Sequence, residues 1–276
     1  MSDQPILLNS KQMAEFAARG FIRLDEIVPR DRCEAAIEYM RANQHHDWKQ
    51  GNGKPFDEIF PADSLMGGIF RLPKFRGAIE SLVGPHPRYD HHFPHRVGPN
   101  THVGANLHQD SEIDTRTRAF DIQFSFFPDD TPVEMGGTLF VPGSQFRQVH
   151  ESQLSRYQNI VGQVQAVCKA GTVFFWHHNI WHSARSNHTP RERFMFKVRL
   201  NPTVPQVRLW DTADLDDPAV QKTLFKPVPW HGQEGRIEEI QRIKFWRYLT
   251  GNPTYDHALW LGRLENDPQP AAAVQA

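Results

Sequence analysis

Cysteine is almost missing: Cys33 and Cys168 are the only two in 276 residues, and they lie in separate segments. So few thiols exclude a disulfide-stapled scaffold and fit free cysteines in a reducing compartment. An excess of charge of one sign is missing too. The 31 Lys and Arg residues stand against 32 Asp and Glu, for a formal net charge of -1. No basic run tracks a phosphate backbone, so nucleic acid is not an expected partner. Long apolar runs are also absent. Pieces such as Val173 to Trp176 fall far short of the ~20 residues a membrane-spanning helix needs. The start, Met1-Ser2-Asp3-Gln4-Pro5, has none of the basic and apolar character of a secretory leader. A soluble cytoplasmic protein with no membrane partner is expected.

Histidine, by contrast, is plentiful, with 15 in the chain. The informative ones are His108, in His108-Gln109-Asp110, and the distant His182. In an extended segment residues i and i+2 point to one face, so His108 and Asp110 can present an imidazole and a carboxylate to the same metal ion. His182 follows Val173-Phe174-Phe175-Trp176, an apolar run that reads as a buried strand and can bring the third ligand. Two histidines and one carboxylate form the facial arrangement that holds non-haem Fe(II) and leaves positions open for a bidentate cosubstrate and O2. Beyond His182 lies Arg193, at the head of the strand-like stretch Phe194-Met195-Phe196-Lys197-Val198. A guanidinium there can clamp a carboxylate through two parallel hydrogen bonds, which lysine cannot do. Iron beside an arginine points to 2-oxoglutarate as cosubstrate.

Organisation changes along the chain. Ser10 is expected to cap a helix over Lys11 to Arg19, stopped by Gly20, with Phe21 to Leu24 as a short strand. A second helix begins near Pro29 and Asp31 and carries Cys33, Ala36, Ile37 and Met40 on one face; a third covers Pro73 to Val83. Trp48 to Pro61 has no clear period and is read as a loop, its functional reading being an active-site lid. From Tyr89 onward short strands alternate with turns: Arg88 to Val97, Gly104 to Asp110, Ala119 to Phe127, Gly137 to Val141, Gln163 to Ala166, Thr172 to Trp176 and Phe194 to Leu200. That texture argues for a mostly β protein with flanking helices, built on a double-stranded β-helix, or jelly roll. The whole span 1–276 reads as one domain: a helical N-terminal region over residues 1–88, a jelly-roll core about 89–205, a helical extension about 206–266 and a mobile tail 267–276. In the extension, Gln233 to Leu249 is expected to be an amphipathic helix with Ile237, Ile240, Ile243 and Trp246 on its apolar side.

Taken together, His108-Gln109-Asp110, Gly137-Thr138-Leu139-Phe140-Val141-Pro142-Gly143-Ser144, Ala170-Gly171-Thr172-Val173-Phe174-Phe175, and His182 with Asn187 and Arg193 resemble the phytanoyl-CoA dioxygenase family of Fe(II)/2-oxoglutarate oxygenases. The match spans about residues 89 to 200 and implies a cupin-like core. It implies iron on His108, Asp110 and His182, and Arg193 on the distal carboxylate of 2-oxoglutarate. It also implies decarboxylation to succinate and CO2 with oxidation of a small-molecule substrate by O2. Two positions depart from the family's habit. Gln145 stands where histidine is common after Pro-Gly-Ser, and Phe126 stands near where tryptophan or another large residue follows the metal pair, which makes it an expected contact to the cosubstrate beside Arg193 and Thr138. Related halogenases replace the metal carboxylate with a small residue; Asp110 is retained here, which favours hydroxylation.

Rivals exist for each role. His177 and His178 compete with His182, and Arg191 competes with Arg193. Thr138 can donate its hydroxyl to the cosubstrate or merely shape a turn. His91, His92, His95, Arg96 and His102 read either as a polar strand edge or as contacts to 2-oxoglutarate or an anionic substrate group. A non-catalytic jelly-roll binding protein and a metal hydrolase using the same three ligands are the alternatives. The polar and basic cluster before the metal pair favours a polar or anionic small molecule as substrate.

Overall fold

The computed structural model describes residues 4–43, 50–102, 104–110, 119–147, 151–155, 159–228 and 232–255. The expected tail 267–276 lies outside them, as do Trp48 and Lys49 of the expected loop.

Helices come first. α1, Ser10–Arg19, ends at Gly20, whose left-handed φ of 80° closes the helix on the Phe16 carbonyl. Its cap is Asn9 rather than Ser10: the Asn9 side chain accepts from the Gln12 amide and Gln12 returns the bond. Ser10 is buried instead, its backbone N–H donating to Asp214 Oδ1 at 2.7 Å and its hydroxyl accepting from the Trp210 indole at 3.0 Å. β1 is Phe21–Leu24 and α2 is Arg30–Ala42, which buries Cys33, Ala36 and Met40. The region read as a loop holds a short helix, α3, Phe56–Ile59, with Phe56 and Phe60 buried. These anchoring rings tie that end of the segment to the core. α4, Leu65–Phe70, and α5, Pro73–Val83, follow.

The strands are β2 (Arg88–Val97), β3 (Ile122–Phe127), β4 (Thr138–Phe140), β5 (Val164–Gln165), β6 (Thr172–His177), β7 (His182–Ala184) and β8 (Arg193–Asn201), with a single helical turn, α6 (Glu151–Leu154), between β4 and β5. They form two antiparallel sheets, a five-stranded one in the order β1-β6-β3-β8-β2 and a three-stranded one in the order β5-β4-β7. The segment 104–110, expected as a strand, instead runs beside β7 and meets it in an isolated bridge between His108 and His182.

Alternation divides the large sheet into two faces. Phe124, Phe175, Phe196 and Val198 point to the helices; Phe124 meets Phe70 at 5.1 Å and Phe75 at 5.0 Å between ring centroids. The opposite face meets the small sheet, where Phe140 of β4 stacks on Phe21 at 5.1 Å and on Phe174 at 5.6 Å. This sandwich of antiparallel sheets with flanking helices is the jelly-roll architecture. α7, Pro218–Leu224, and α8, Gly232–Thr250, complete the described chain. α8 corrects the sequence reading. Ile237 is exposed, whereas Glu238 and Arg242 are buried and paired through two hydrogen bonds, and Arg242 also donates to the Leu224 carbonyl.

Candidate metal centre

Three ligand atoms converge between the sheets. His182 opens β7, the bridge from β7 holds His108 beside it, and Asp110 follows two residues on. Their ligating atoms lie within 4.8 Å of one another and could hold a metal ion. Nε2 of His108 is 3.4 Å from Asp110 Oδ1, and Nε2 of His182 is 3.5 Å from Oδ2.

Backbone carbonyls fix both imidazoles. His108 Nδ1 lies 2.7 Å from the Asn106 carbonyl and His182 Nδ1 lies 3.0 Å from the Ile180 carbonyl. A carbonyl only accepts, so each Nδ1 carries a hydrogen and Nε2 is the atom left to face a metal. Trp176 packs edge-on against His182 at 4.3 Å. Burial pushes the His182 pKa down to about 3, which keeps its lone pair available. For His108 burial works against the charged form, but hydrogen bonds to Asp110 and to the Asn106 carbonyl outweigh it and raise the pKa. Burial likewise opposes the charge on Asp110, yet His182, His108, Lys197 and Gln123 together hold its carboxyl far below the usual carboxylate range. A carboxylate ringed by donors and cations is what an anionic metal ligand requires.

Beside the three ligands is a cavity of about 100 Å³, lined from the large sheet by Ser125, Phe127, Trp176, Met195 and Lys197 and from the small sheet by Thr138, Ser183 and Ala184. Arg193 also lines it, 5% exposed. Its Nη1 donates to the carbonyls of Met135 at 2.7 Å and Arg185 at 2.8 Å. Among the described residues no carboxylate forms an ion pair with this guanidinium, and burial lowers its pKa to about 10. Asn187, fully buried, braces the approach to β8 by donating to the Gly98 and Arg191 carbonyls. Arg191 is more than half exposed and pairs with Asp129, outside the cavity.

The remaining expected residues sort by strand face. Thr138 lines the cavity and its hydroxyl reaches Met195 Sδ at 3.4 Å. Phe126 does not line it: it packs in the helix-side core, opposite Phe196, while its neighbours Ser125 and Phe127 face the cavity. The expectation for Phe126 is therefore displaced by one residue, a full change of face on a strand. Gln145 is tied to α1 through the Ala17 carbonyl at 3.1 Å. His177 stacks on Phe120 in the core, and His178 Nδ1 meets the Asp121 carbonyl at 3.0 Å. Of the early cluster, His95 enters the cavity, where its Nε2 is buried without a hydrogen-bond partner among the described residues; His92 stacks on Phe196, and Arg96 pairs with Glu192.

Two residues at the site were not anticipated. Gln123 donates its amide to Asp110 Oδ2, and Lys197 Nζ stands 3.4 Å from the same oxygen. Their signal was the alternation of β3 and β8, whose phase only the pairing register settles: Gln123 opposes Arg199, and Ser125 opposes Lys197. The donor set suits a divalent iron, with two imidazoles, one carboxylate and an adjoining space for further oxygen ligands.

None of the curated proteins matches the chain. Solved structures do. The chain is similar to HygX from Streptomyces hygroscopicus with nickel and 2-oxoglutarate bound, at 17% identity and a TM-score of 0.55, covering 76% of this chain and 94% of that one. It is similar to EctD from S. alaskensis in its apo form, at 17% identity and a TM-score of 0.53 over 73% and 79% of the two chains. The non-haem α-ketoglutarate-dependent epimerase SnoN from nogalamycin biosynthesis gives 17% identity and a TM-score of 0.53 over 70% and 82%. At these identities the likeness is one of fold. The family model for phytanoyl-CoA dioxygenase matches residues 16–195, more than half of the chain, so this protein belongs to the phytanoyl-CoA dioxygenase family of non-haem iron, 2-oxoglutarate-dependent oxygenases.

Proposed function

We propose that the protein is a dioxygenase that hydroxylates a C–H bond of a small molecule, consuming O2 and converting 2-oxoglutarate to succinate and CO2. His108 and His182 bind iron through Nε2 and Asp110 through a carboxylate oxygen. One observation carries the reading: the three ligands adjoin a cavity that also contains a buried arginine with no carboxylate partner among the described residues. Arg193 and the two histidines line the same cavity, so a dicarboxylate there can offer one end to the metal and the other to the guanidinium.

When bound, the iron supplies open coordination positions and the electrons for O2 chemistry. The chain's residues bind and orient. Arg193, held by two carbonyls, presents its remaining N–H groups to the distal carboxylate, and Thr138 stands near with its hydroxyl. Phe127, Trp176 and Met195 supply apolar walls that exclude water. Gln123 holds one oxygen of Asp110, leaving the other for the metal.

The test is anaerobic. Addition of Fe(II) and then 2-oxoglutarate should produce the visible charge-transfer band of a chelated keto acid. His182→Ala should lack it. No band in the unmutated protein with iron content confirmed would overturn the reading.

A further inference from the structure

Lys197 is the cation that the proposed reaction leaves without a task. It lines the cavity, its Nζ lies 5.9 Å from the Trp176 ring centre, and among the described residues Asp110, at 3.4 Å, is its one carboxylate partner. Once Asp110 serves a metal, that carboxylate is shared with a stronger cation and is already hydrogen-bonded by Gln123. Arg199, the next cation on the same face of β8, is in a different position: Asp121 accepts from it at 2.6 and 3.1 Å.

Charge makes the imbalance explicit. A divalent ion, Arg193 and Lys197 face the single carboxylate of Asp110, and the histidines at the site ligate or remain neutral. The two carboxylates of 2-oxoglutarate balance the guanidinium and the charge left on the metal pair. Lys197 is left over, and an uncompensated ammonium in a buried cavity is unfavourable. Across on β2, Phe93 pairs in register with Lys197 and is 42% exposed, an apolar surface on the same face of the sheet. Its ring lies against His95 at 4.5 Å.

We propose that Lys197 binds a carboxylate of the primary substrate, which makes that substrate an organic acid whose carbon skeleton rests on Phe93 and whose oxidised C–H lies close to the acid group. This rests on the function proposed above. The ion pair forms beside the metal, and it gives the site a means of choosing acids over the corresponding amides and amines.

Protein loaded with Co(II) and 2-oxoglutarate reports such an acid without turnover. Butyrate, butyramide and butylammonium are added in turn, and broadening of their methyl proton signals is measured against a Zn(II)-loaded control. The expected result is broadening of butyrate alone, reduced at least tenfold in Lys197→Gln and largely kept in Lys197→Arg. Equal broadening of butyrate in Lys197→Gln, or of butyramide in the unmutated protein, would overturn the proposal. The same variants are titrated with 2-oxoglutarate. A tenfold or larger rise in its Kd in Lys197→Gln, with butyrate broadened only when 2-oxoglutarate is left out, would assign the lysine to the inner carboxylate of the cosubstrate and overturn the substrate assignment. Failure of 2-oxoglutarate to bind the unmutated protein is a separate result, which removes the proposed function itself.

Discussion

Gly136 lies so close to Arg193 that a β-carbon on it would fall 2.3 Å from the guanidinium Nη1. The same atom would meet the Ser186 and Arg185 carbonyls at 2.5 and 2.7 Å, and the glycine's φ of 92° is one that residues with a side chain rarely adopt. The bare backbone is what lets the arginine seat on the Met135 and Arg185 carbonyls.

Gly136→Ala should therefore act on the cosubstrate as well as on stability. Displacing the guanidinium should raise the Kd of 2-oxoglutarate at least tenfold in an anaerobic Fe(II) titration, with a lowered melting temperature. Arg193→Lys should reproduce the binding defect with a smaller thermal effect, because lysine cannot make the paired contact. An unchanged Kd in both variants would remove Arg193 from the cosubstrate site.

Gln123 bears on the candidate metal centre through Asp110. Gln123→Leu keeps the volume and removes the donor to Oδ2, so the carboxylate loses its preferred orientation. Metal affinity should fall by roughly 10–100-fold, the usual effect of removing such a partner. Competition with a chromogenic chelator measures it, and Gln123→Asn, which keeps the amide but shortens its reach, should lose affinity too.

The three candidate metal ligands were legible in the sequence because each is identified by its own side chain and by short spacings that survive any uncertainty in fold. Arg193 was legible for the same reason. Positions whose role depends on strand phase were not: Phe126 and Phe127 differ by one residue and face opposite layers, and Lys197 reads as one polar residue in an apolar strand until its register against Ser125 and Phe93 is known. Glu238 and Arg242 mislead in another way, since an i,i+4 charge pair reads as a solvated helix face, yet here it is buried. Ser10 and Asn9 are both good caps; the reciprocal bonds of Asn9 with Gln12 and the long-range bond from Ser10 to Asp214 decide between them.

That bond has a pH signature. Burial raises the Asp214 pKa, but the backbone N–H of Ser10 and the further donors at the start of α1 outweigh it and lower the value below the ordinary 3.8. A lowered carboxylate contributes stability that is present above the unfolded value and lost as pH falls through the folded one. Asp214→Asn should thus cost about 0.5–1 kcal/mol at pH 7, allowing for its partial exposure. The difference from the unmutated protein should shrink toward zero as pH is lowered below 3.8. Urea melts across that range provide the check.

Phe124 is the centre of the helix-side core, fully buried among Phe70, Phe75 and Phe175. Phe124→Ala should destabilise the protein by about 3–5 kcal/mol through lost burial and the cavity left behind. Its effect on 2-oxoglutarate affinity, measured below the melting transition, should be small because the ring faces away from the metal. Denaturant midpoints and the charge-transfer titration separate the two.

β8 carries two independent inscriptions on one strand. Phe194, Phe196, Val198 and Leu200 serve the helix-covered core, while Met195 and Lys197 face the cavity and Arg199 lies beyond them on the same face. Selection for a new substrate could therefore rewrite positions 195, 197 and 199 without asking the core to refold. A combinatorial library confined to those three positions should stay largely folded, whereas one of equal size at 194, 196 and 198 should not. The strand thus separates what the protein recognises from what keeps it standing, one residue apart.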